Sequence, residues 1–240
     1  MSTHAPAQAP APIAWMGERA LLVRLAEEPS AEATRRVAAV AAALEDAPPP
    51  ALQEIVPSYT SVLVLLDPCR LVSKEAAARV RRAVGRAVRR ALAGLGPEAD
   101  GEGSGRLWRI PVRYGGEDGP DLPAVAAWAG LAPAEVVRLH TAREYRVLAV
   151  GFRPGYPFLG FVDERIAAPR REVHRQRVEA GAVGIAGRQT GIYPRASSGG
   201  WQIVGRTDVP LFDPSAPSPE AASLLRVGDR VWFVPEAVRA

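Results

Sequence analysis

The spacing of glycine in the C-terminal half is the strongest constraint on how this chain can fold. Ten of its 22 glycines lie in two segments, Gly151–Gly160 (GFRPGYPFLG) and Gly181–Thr207 (GAVGIAGRQTGIYPRASSGGWQIVGRT). Glycine weakens helices and long strands, and its missing side chain allows sharp turns and the close approach of other groups. Aromatic, arginine, glutamine and threonine residues lie between these glycines, so we expect short strands, tight turns and a functional surface here.

From Tyr145 onward the sequence has the pattern of short antiparallel strands. The apolar stretches are four to seven residues long and are separated by Gly, Pro, Asp or Ser. This spacing is typical of a β-barrel or a β-sandwich. The five stretches are YRVLAV, GAVGIAG, TGIYP, WQIVGRT and RVWFV.

The N-terminal third alternates strand and helix signals. Arg19–Leu25 is strand-like, and Ser30 is placed to cap a helix whose apolar residues follow at helical spacing. Gln53–Val56 and Ser61–Leu66 predict two short strands, after which Ser73 is placed to cap a second helix. The order β-α-β-β-α, completed if a later strand joins, is the split βαβ or ferredoxin-like pattern.

Composition shifts mark the domain boundaries. We divide the chain into a disordered Ala/Pro-rich tail at 1–12, a ferredoxin-like α/β domain at 13–94, a linker rich in Gly and acid at 95–105, and a β-barrel domain at 106–240. Within the barrel domain, Asp121 is expected to cap a helix.

Charge and composition exclude several functions. The net charge is +4, and the positively charged residues are almost all arginine. Their densest run, residues 79–90, is typical of the solvated face of a helix. No aromatic platform or nucleic-acid motif accompanies it, so no nucleic acid is expected as a partner. No apolar run approaches the roughly 20 residues that span a bilayer. The single cysteine, Cys69, fits a reducing cytoplasm.

The signatures of a self-contained hydrolase are missing from the sequence. It has no G-x-S-x-G nucleophile elbow, no Walker A motif and no dinucleotide-binding G-x-G-x-x-G. The three histidines, His4, His140 and His174, are too scattered to predict a metal site. A metallohydrolase or a serine hydrolase working alone is therefore not expected.

Two polar groupings inside the glycine-rich segments are candidate binding sites. Arg153 and Gly155 lie in an aromatic frame, which is either a turn over core aromatics or a rigid loop that presents a cation and backbone amides to an anion. Gln189 and Thr190 are flanked by glycines, and their side chains suit an amide or a carboxylate; the alternative is a polar β-turn.

Three further features extend this candidate surface. Gly199, Gly200 and Trp201 combine bare backbone with a large ring, and Arg206 with Thr207 adds a cation and a hydroxyl. The arginines on either side of His174, at positions 170, 171, 175 and 177, form either a solvated loop or an anion-binding loop next to the same site.

Seven segments, in this order, resemble the family of 5-oxoprolinase B subunits, which is also called the allophanate hydrolase subunit 1 or Kip-type sensor histidine kinase inhibitor family. The resemblance extends from about Met16 to Pro235. The segments are EIVPSYTSVLV, IPVRYGGEDGPDL, EVVRLHT, GFRPGYPFLG, GAVGIAGRQTGIYP, GGWQIVGRT and GDRVWFV.

The resemblance implies an α+β chain with a small α/β domain followed by a cyclophilin-like antiparallel β-barrel. It also implies two partner proteins, the sibling C subunit and the A subunit of 5-oxoprolinase, with which the chain forms an ATP-dependent enzyme that opens the lactam of 5-oxo-L-proline to give L-glutamate. A non-catalytic inhibitor of a sensor histidine kinase and half of a urea carboxylase-type carboxyltransferase are the alternatives.

On this resemblance we hypothesise roles for individual residues. Phosphorylation of the amide oxygen by ATP needs cations and oxyanion donors rather than a protein nucleophile. His140, which ends a helix, is a candidate general acid or base, or only a cap. The residues expected to bind substrate are Arg153, Gly155, Arg170, Gln189, Thr190, Tyr193, Gly199, Gly200, Trp201, Arg206 and Thr207, and no metal is expected.

The chain departs from the family pattern at three positions in or just before the second glycine-rich segment. Glu179 and Ala182 stand where the family has Pro and Ser, and Ser198 stands where it has Pro. A serine hydroxyl that contacts ligand in the family would be missing here, whereas one that only shapes a turn would matter little.

Overall fold

The computed structural model describes residues 11–96 and 105–236. The chain divides into two compact units, Met1–Gly103 and Ser104–Ala240. Residues 1–10 of the predicted tail and residues 97–104 of the predicted linker lie outside the described residues, so both assignments stay predictions.

The first unit is a four-stranded sheet with two helices. Its strands run antiparallel in the order β1-β2-β4-β3. The elements are β1 (Ile13–Trp15), β2 (Ala20–Arg24), α1 (Ala31–Asp46), β3 (Leu52–Ser58), β4 (Ser61–Leu66) and α2 (Lys74–Ala93), with a short 3-10 turn at Pro68–Arg70.

Both predicted helix caps of this unit are confirmed. The Ser30 hydroxyl accepts from the backbone N–H of Ala33 at 3.0 Å, and that of Ser73 accepts from Ala76 at 3.2 Å. Each bond satisfies one of the N–H groups that a helix leaves free at its start. The apolar residues that follow at helical spacing, led by Val37 in α1, are buried.

The closing strand of the ferredoxin-like pattern would follow α2 and lie beside β2. In the described residues of this unit, β1 lies beside β2 instead, and it precedes β2 in the chain. The split β-α-β-β-α order is present, and the ferredoxin-like assignment stays a prediction.

The second unit carries nine strands and three helices in its described residues. The elements are β5 (Leu107–Tyr114), α3 (Leu122–Ala129), α4 (Pro133–Thr141), β6 (Glu144–Val150), β7 (Pro157–Phe161), a 3-10 turn (Glu164–Ile166), β8 (Arg175–Val178), β9 (Ala182–Ala186), β10 (Gln189–Ile192), β11 (Ser197–Gly199), β12 (Gln202–Arg206), α5 (Pro219–Ala222) and β13 (Arg230–Pro235).

Seven of these strands close into a barrel. The order is β6-β13-β5-β12-β9-β10-β7, and β7 pairs back onto β6. The prediction of an all-antiparallel barrel is wrong at one place, because β13 and β5 run parallel, with Val231 opposite Trp108. The last strand enters the barrel between β5 and β6, antiparallel to β6, and closes the sheet. Strands β8 and β11 form a separate two-stranded sheet.

Alternation along the strands separates an inner and an outer apolar cluster. Adjacent strand residues point to opposite faces, so Val183 and Ile185 of β9 pack inside the barrel while Ala182 and Ala186 face outward. The outer cluster consists of Tyr156, Val178, Ala182, Ala186, Tyr193, Trp201 and Ile203, with Phe158 packed against it. The candidate site lies on this outer face.

Within the described residues, no single helix is long and apolar enough to cross a membrane, although α3 and α4, bent by 92° at their junction, pass that test as a pair on length and composition.

Candidate functional site

The two glycine-rich segments meet at one cleft on the outer face of the barrel. The cleft has a volume of about 180 Å³. It is lined by Phe152, Tyr156, Phe158, Arg170, His174, Tyr193, Ser198, Gly199, Gly200 and Trp201. Two segments that are separated by 20 residues in the chain therefore build one surface, as the sequence predicted for this region as a whole.

The glycines make room for the aromatic walls of the cleft. A Cβ atom added at Gly199 would overlap the hydroxyl of Tyr193, and one added at Gly200 would overlap the imidazole of His174. At Gly191 it would lie 2.9 Å from the hydroxyl oxygen of Tyr156, closer than real Cβ atoms come. Any side chain at these three positions would displace a wall of the cleft.

The hydroxyl of Tyr193 lies inside the cleft, next to the backbone of Trp201 and the side chain of Tyr156. The ring of Tyr156 packs edge-on against the Tyr193 ring, with 5.1 Å between the ring centroids. Burial raises the pKa of Tyr193 above its ordinary value of 10. The phenol is therefore protonated at neutral pH and can donate its own proton to a ligand.

The charge at the mouth of the cleft is positive. Arg170 and His174 line it and are exposed, and the described lining residues include no Asp or Glu. A guanidinium with free access binds a carboxylate through two parallel hydrogen bonds. The geometry thus favours a small anionic ligand with a flat, partly apolar body.

Asp121 lies behind the basic segment; it is the N-cap residue of α3, as the sequence predicted, but it does not cap the helix with its side chain. Instead the carboxylate, buried to 3% exposure, accepts from Arg171 at 2.8 Å, from Arg175 at 2.7 and 2.8 Å, and from the backbone N–H of Ile203 at 2.7 Å. A buried carboxylate next to two guanidiniums is satisfied far better by them than by a helix start.

Gln189 and Thr190 do not form the joint binding group that their sequence suggested. They are neighbours in β10, where adjacent side chains project to opposite faces. Thr190 is fully buried and bonds inward to His140, whereas Gln189 lies opposite Ala186 on the outer face. One ligand cannot contact both side chains, and neither lines the cleft.

His140 is enclosed in the barrel. Its Nδ1 lies 2.7 Å from the hydroxyl of Tyr114 and its Nε2 lies 2.9 Å from Oγ1 of Thr190, while the ring of Phe233 stacks on it at 4.7 Å. Burial lowers the pKa of His140 from 6.5 to about 3, so the imidazole is neutral at physiological pH. The position gives no route to a substrate in the cleft, and it assigns His140 a structural role.

Arg206 and Thr207 lie on the far side of β9 from Tyr193. Arg206 pairs in register with Ala182, whereas Gln189 pairs with Ala186, about 13 Å further along the same strand. The hydroxyl of Thr207 accepts from the backbone N–H of Val209 and so stabilises a turn. The single pocket that was predicted to join Gln189 and Arg206 is therefore split, and neither of them lines the cleft.

Arg153 and Gly155 line a second cleft of about 680 Å³ that adjoins the first, with Phe152 shared between them. The N–H of Arg153 donates to the carbonyl of Gly151 at 2.8 Å around Phe152, whose φ is +67°. This is a γ-turn of the rare, strained kind, and it presents the Phe152 ring, 61% exposed, at the border of the two clefts.

Several lining residues were not among the predicted ligand contacts. The sequence indicates an aromatic frame at Phe152, Tyr156 and Phe158 but is compatible with both a core and a binding site there, and the structure places all three in the lining of the cleft. His174 was noted only for the arginines around it. The ion pairs of Asp121 have no local signal in the sequence, because Arg171 and Arg175 follow 50 and 54 residues later in the chain.

The comparisons with known proteins define the class of this fold. A family model described as "Carboxyltransferase domain, subdomain C and D" matches residues 11–222. The two units are thus those of a carboxyltransferase-type domain.

Two relatives at about 40% identity identify the family within this class. The chain is 42% identical over 224 residues to the B subunit of 5-oxoprolinase from Bacillus subtilis, covering 92% of this chain and 91% of that protein. It is 39% identical over 221 residues to the protein of the same name from Escherichia coli O157:H7, covering 92% and 94%. The chain belongs to the family of 5-oxoprolinase B subunits.

Solved structures agree with the fold. The TTHA0988 structure matches at a TM-score of 0.74 and 41% identity over 92% of this chain, which spans 40% of that longer chain. PH0987 from Pyrococcus horikoshii matches at a TM-score of 0.53 and 40% identity, over 94% of this chain and 98% of its own. The K. lactis urea amidolyase matches at 0.64 and 19% identity over 93% of this chain and 15% of its own, which shows a common fold alone.

Proposed function

We propose that this chain is the B subunit of a multi-subunit, ATP-dependent 5-oxoprolinase that converts 5-oxo-L-proline to L-glutamate together with the A and C subunits. The observation that carries the proposal is the cleft in which both glycine-rich segments meet, in a chain whose relatives at about 40% identity over nearly full length are named for this activity. The single cysteine and the need for ATP support a location in the cytoplasm.

The cleft suits the substrate in size and charge. Its volume of about 180 Å³ is below the roughly 300–1,000 Å³ of pockets for drug-sized ligands, so it fits a small ring. Arg170 at the mouth would hold the carboxylate of 5-oxoproline in a bidentate pair. The walls of Tyr156, Phe158 and Trp201 would pack against the apolar ring carbons.

Tyr193 would polarise the lactam. An amide resists opening because resonance lowers the electrophilicity of its carbonyl carbon, and a donor at the carbonyl oxygen stabilises the negative charge that develops there. Tyr193 lines the cleft and burial keeps its phenol protonated at neutral pH, so its hydroxyl would donate to the lactam oxygen. The free backbone at Gly199 and Gly200 lets the ligand approach this hydroxyl closely.

The cleft does not fit ATP. A triphosphate nucleotide is larger than this volume and is bound with a magnesium ion, which takes carboxylate ligands. The residues that line this cleft include no carboxylate. We therefore assign the substrate, and not ATP, to this cleft.

The test is turnover by the reconstituted complex. Wild-type chain mixed with the A and C subunits should consume 5-oxoproline only when ATP is present. Arg170→Ala should raise the KM for 5-oxoproline about 10- to 100-fold, because it removes a charge-assisted pair with the carboxylate. Arg177→Ala is the matched control: Arg177 is a nearby exposed arginine that pairs with Glu179 and does not line the cleft.

A complex that assembles but shows no ATP-dependent loss of 5-oxoproline would overturn the proposed activity. Equal KM values for Arg170→Ala and Arg177→Ala in an active complex would overturn the placement of the substrate. The likeness to urea amidolyase is one of fold alone, and no contact among the described residues favours a kinase-inhibiting role over the enzymatic one.

A further inference from the structure

We propose that Asp121 is a positioning residue for the anion-binding segment of the cleft, the stretch 170–175 that carries Arg170 and His174. The inference rests on the proposed function for its kinetic meaning. Its structural part, that one buried carboxylate fixes this segment over the cleft, stands on the contacts alone.

Asp121 joins three parts of the barrel unit at a single buried group. It follows β5 and precedes α3, and it accepts from Arg171 and Arg175 on the basic segment and from the backbone of Ile203 in β12. The two guanidiniums are partly solvated, at 34% and 26% exposure, whereas the carboxylate is 4% exposed. The aspartate is thus the fixed point to which the segment is attached.

The segment is fixed at two points, each directly after one of its cleft residues. Arg171 follows Arg170 directly, and its backbone N–H also donates to the carbonyl of Gly200 at 2.8 Å. Arg175 follows His174 and begins β8. Each cleft residue therefore lies next to an arginine whose planar guanidinium is bound to the same carboxylate.

Such anchoring matters because an exposed loop loses freedom when it binds a ligand. A segment held in its bound conformation before binding loses less, which strengthens binding without any direct contact to the ligand. Without the carboxylate, the guanidiniums of Arg171 and Arg175 would repel each other, and the segment would keep only its backbone bonds.

The sign of the change in KM separates positioning from a purely electrostatic role. Replacing Asp121 by Asn adds one net positive charge close to the cleft. If the residue acted only through its charge, an anionic substrate would bind more tightly and KM would fall. If it positions Arg170 and His174, KM rises although the site has become more positive.

The experiment compares Asp121→Asn with Asp163→Asn in the complete complex. Asp163 is a matched control, since its carboxylate also binds arginines, Arg165 at 2.9 Å and Arg143 at 3.5 Å, and does not line the cleft. We expect Asp121→Asn to raise the KM for 5-oxoproline about tenfold with kcat changed less than about threefold, and Asp163→Asn to leave both unchanged.

Hydrogen exchange on the full chain gives a readout that does not depend on turnover. In Asp121→Asn the amide of Arg171 should exchange at least about tenfold faster than in the wild type, while amides of the barrel core keep their protection. Arg171→Met leaves Asp121 paired with Arg175, so it should raise KM less than Asp121→Asn does. This variant tests the proposal if Asp121→Asn fails to fold.

Unchanged exchange at Arg171, or a KM that falls or stays constant in a folded Asp121→Asn complex, would overturn the positioning role. A complex without any 5-oxoproline turnover would count against the proposed function, and the exchange rates would then decide the structural role of Asp121 by themselves.

Discussion

At the scale of single residues, burial decides what a polar side chain can do in this protein. His140 lies in a fully bonded chain inside the barrel: the Tyr114 hydroxyl donates to Nδ1, Nε2–H donates to Thr190, and the Thr190 hydroxyl donates to the carbonyl of Gly184. This assignment follows from Thr190, whose proton is committed to a carbonyl, so its oxygen must accept. The polar groups of this hydrogen-bonded series all have partners only while the imidazole is neutral.

The neutral imidazole makes stability depend on pH. The pKa of His140 is about 3 in the folded chain and 6.5 in the unfolded one, so the unfolded state binds an extra proton between these values. The contribution of neutral His140 to the free energy of unfolding is fully present above pH 6.5. Between pH 6.5 and 3 this free energy falls by up to about 1.4 kcal/mol for each pH unit. Urea denaturation across this range should show the loss for the wild type and a shallower dependence for His140→Gln. Parallel pH profiles for wild type and His140→Gln would show that the imidazole is not held neutral by the barrel.

What a residue does could be predicted from sequence where its partner is local. Ser30 and Ser73 cap helices through atoms three residues away, and their spacing carries that information. Asp121 has the same capping pattern, but its partners are 50 and more residues distant, and charge-assisted bonds to two arginines outweigh a cap. The register that separates Gln189 from Thr190 is likewise set by strand pairing.

At the scale of elements, the cleft depends on strands that the sequence did not reveal. The glycine content correctly indicated close approach, yet β7, β8 and β11 lie in stretches that were interpreted as turns or loops. Their short lengths and their proline, glycine and serine residues hide the alternation that marks a strand. The long apolar strands and both N-terminal helices, whose periodicity is clear, were found.

Gly199 in β11 is the sharpest test of how these elements pack. Gly199→Ala places a methyl group into the hydroxyl of Tyr193, so the two-stranded sheet or the ring must move, at a cost of about 1–3 kcal/mol. We expect a lower free energy of unfolding in urea and a loss of 5-oxoproline turnover, since Tyr193 is displaced.

Gly151→Ala is the matched substitution in the other glycine-rich segment. A Cβ atom at Gly151 meets nothing within 4 Å, and its φ is not in the left-handed region. Its free energy of unfolding should stay within about 0.5 kcal/mol of the wild type. Equal effects of the two substitutions would mean that close packing at β11 does not shape the cleft.

At the scale of the whole molecule, closure of the barrel comes from the end of the chain. Strand β13 inserts between β5 and β6 and pairs with β5 along Arg230–Pro235 and with β6 along 230–232. Without it the sheet would have two open edges, each presenting unpaired N–H and C=O groups. The sequence predicted the strands of a barrel, but not the parallel pairing through which the C-terminal strand closes it, because pairing of distant strands leaves no local signal.

The barrel unit should therefore fold on its own, provided that β13 is present. Its inner cluster of 21 buried residues lies within residues 110–233, and all seven strands pair in a closed ring. We expect a fragment of residues 105–240 to unfold in urea in one cooperative transition and to give a dispersed amide NMR spectrum. A fragment of residues 105–228, which lacks β13, should give neither, because it loses Val231 and Phe233 from the core as well as the ring. Cooperative unfolding of the shorter fragment, or a molten spectrum for the longer one, would show that closure by β13 does not define the unit.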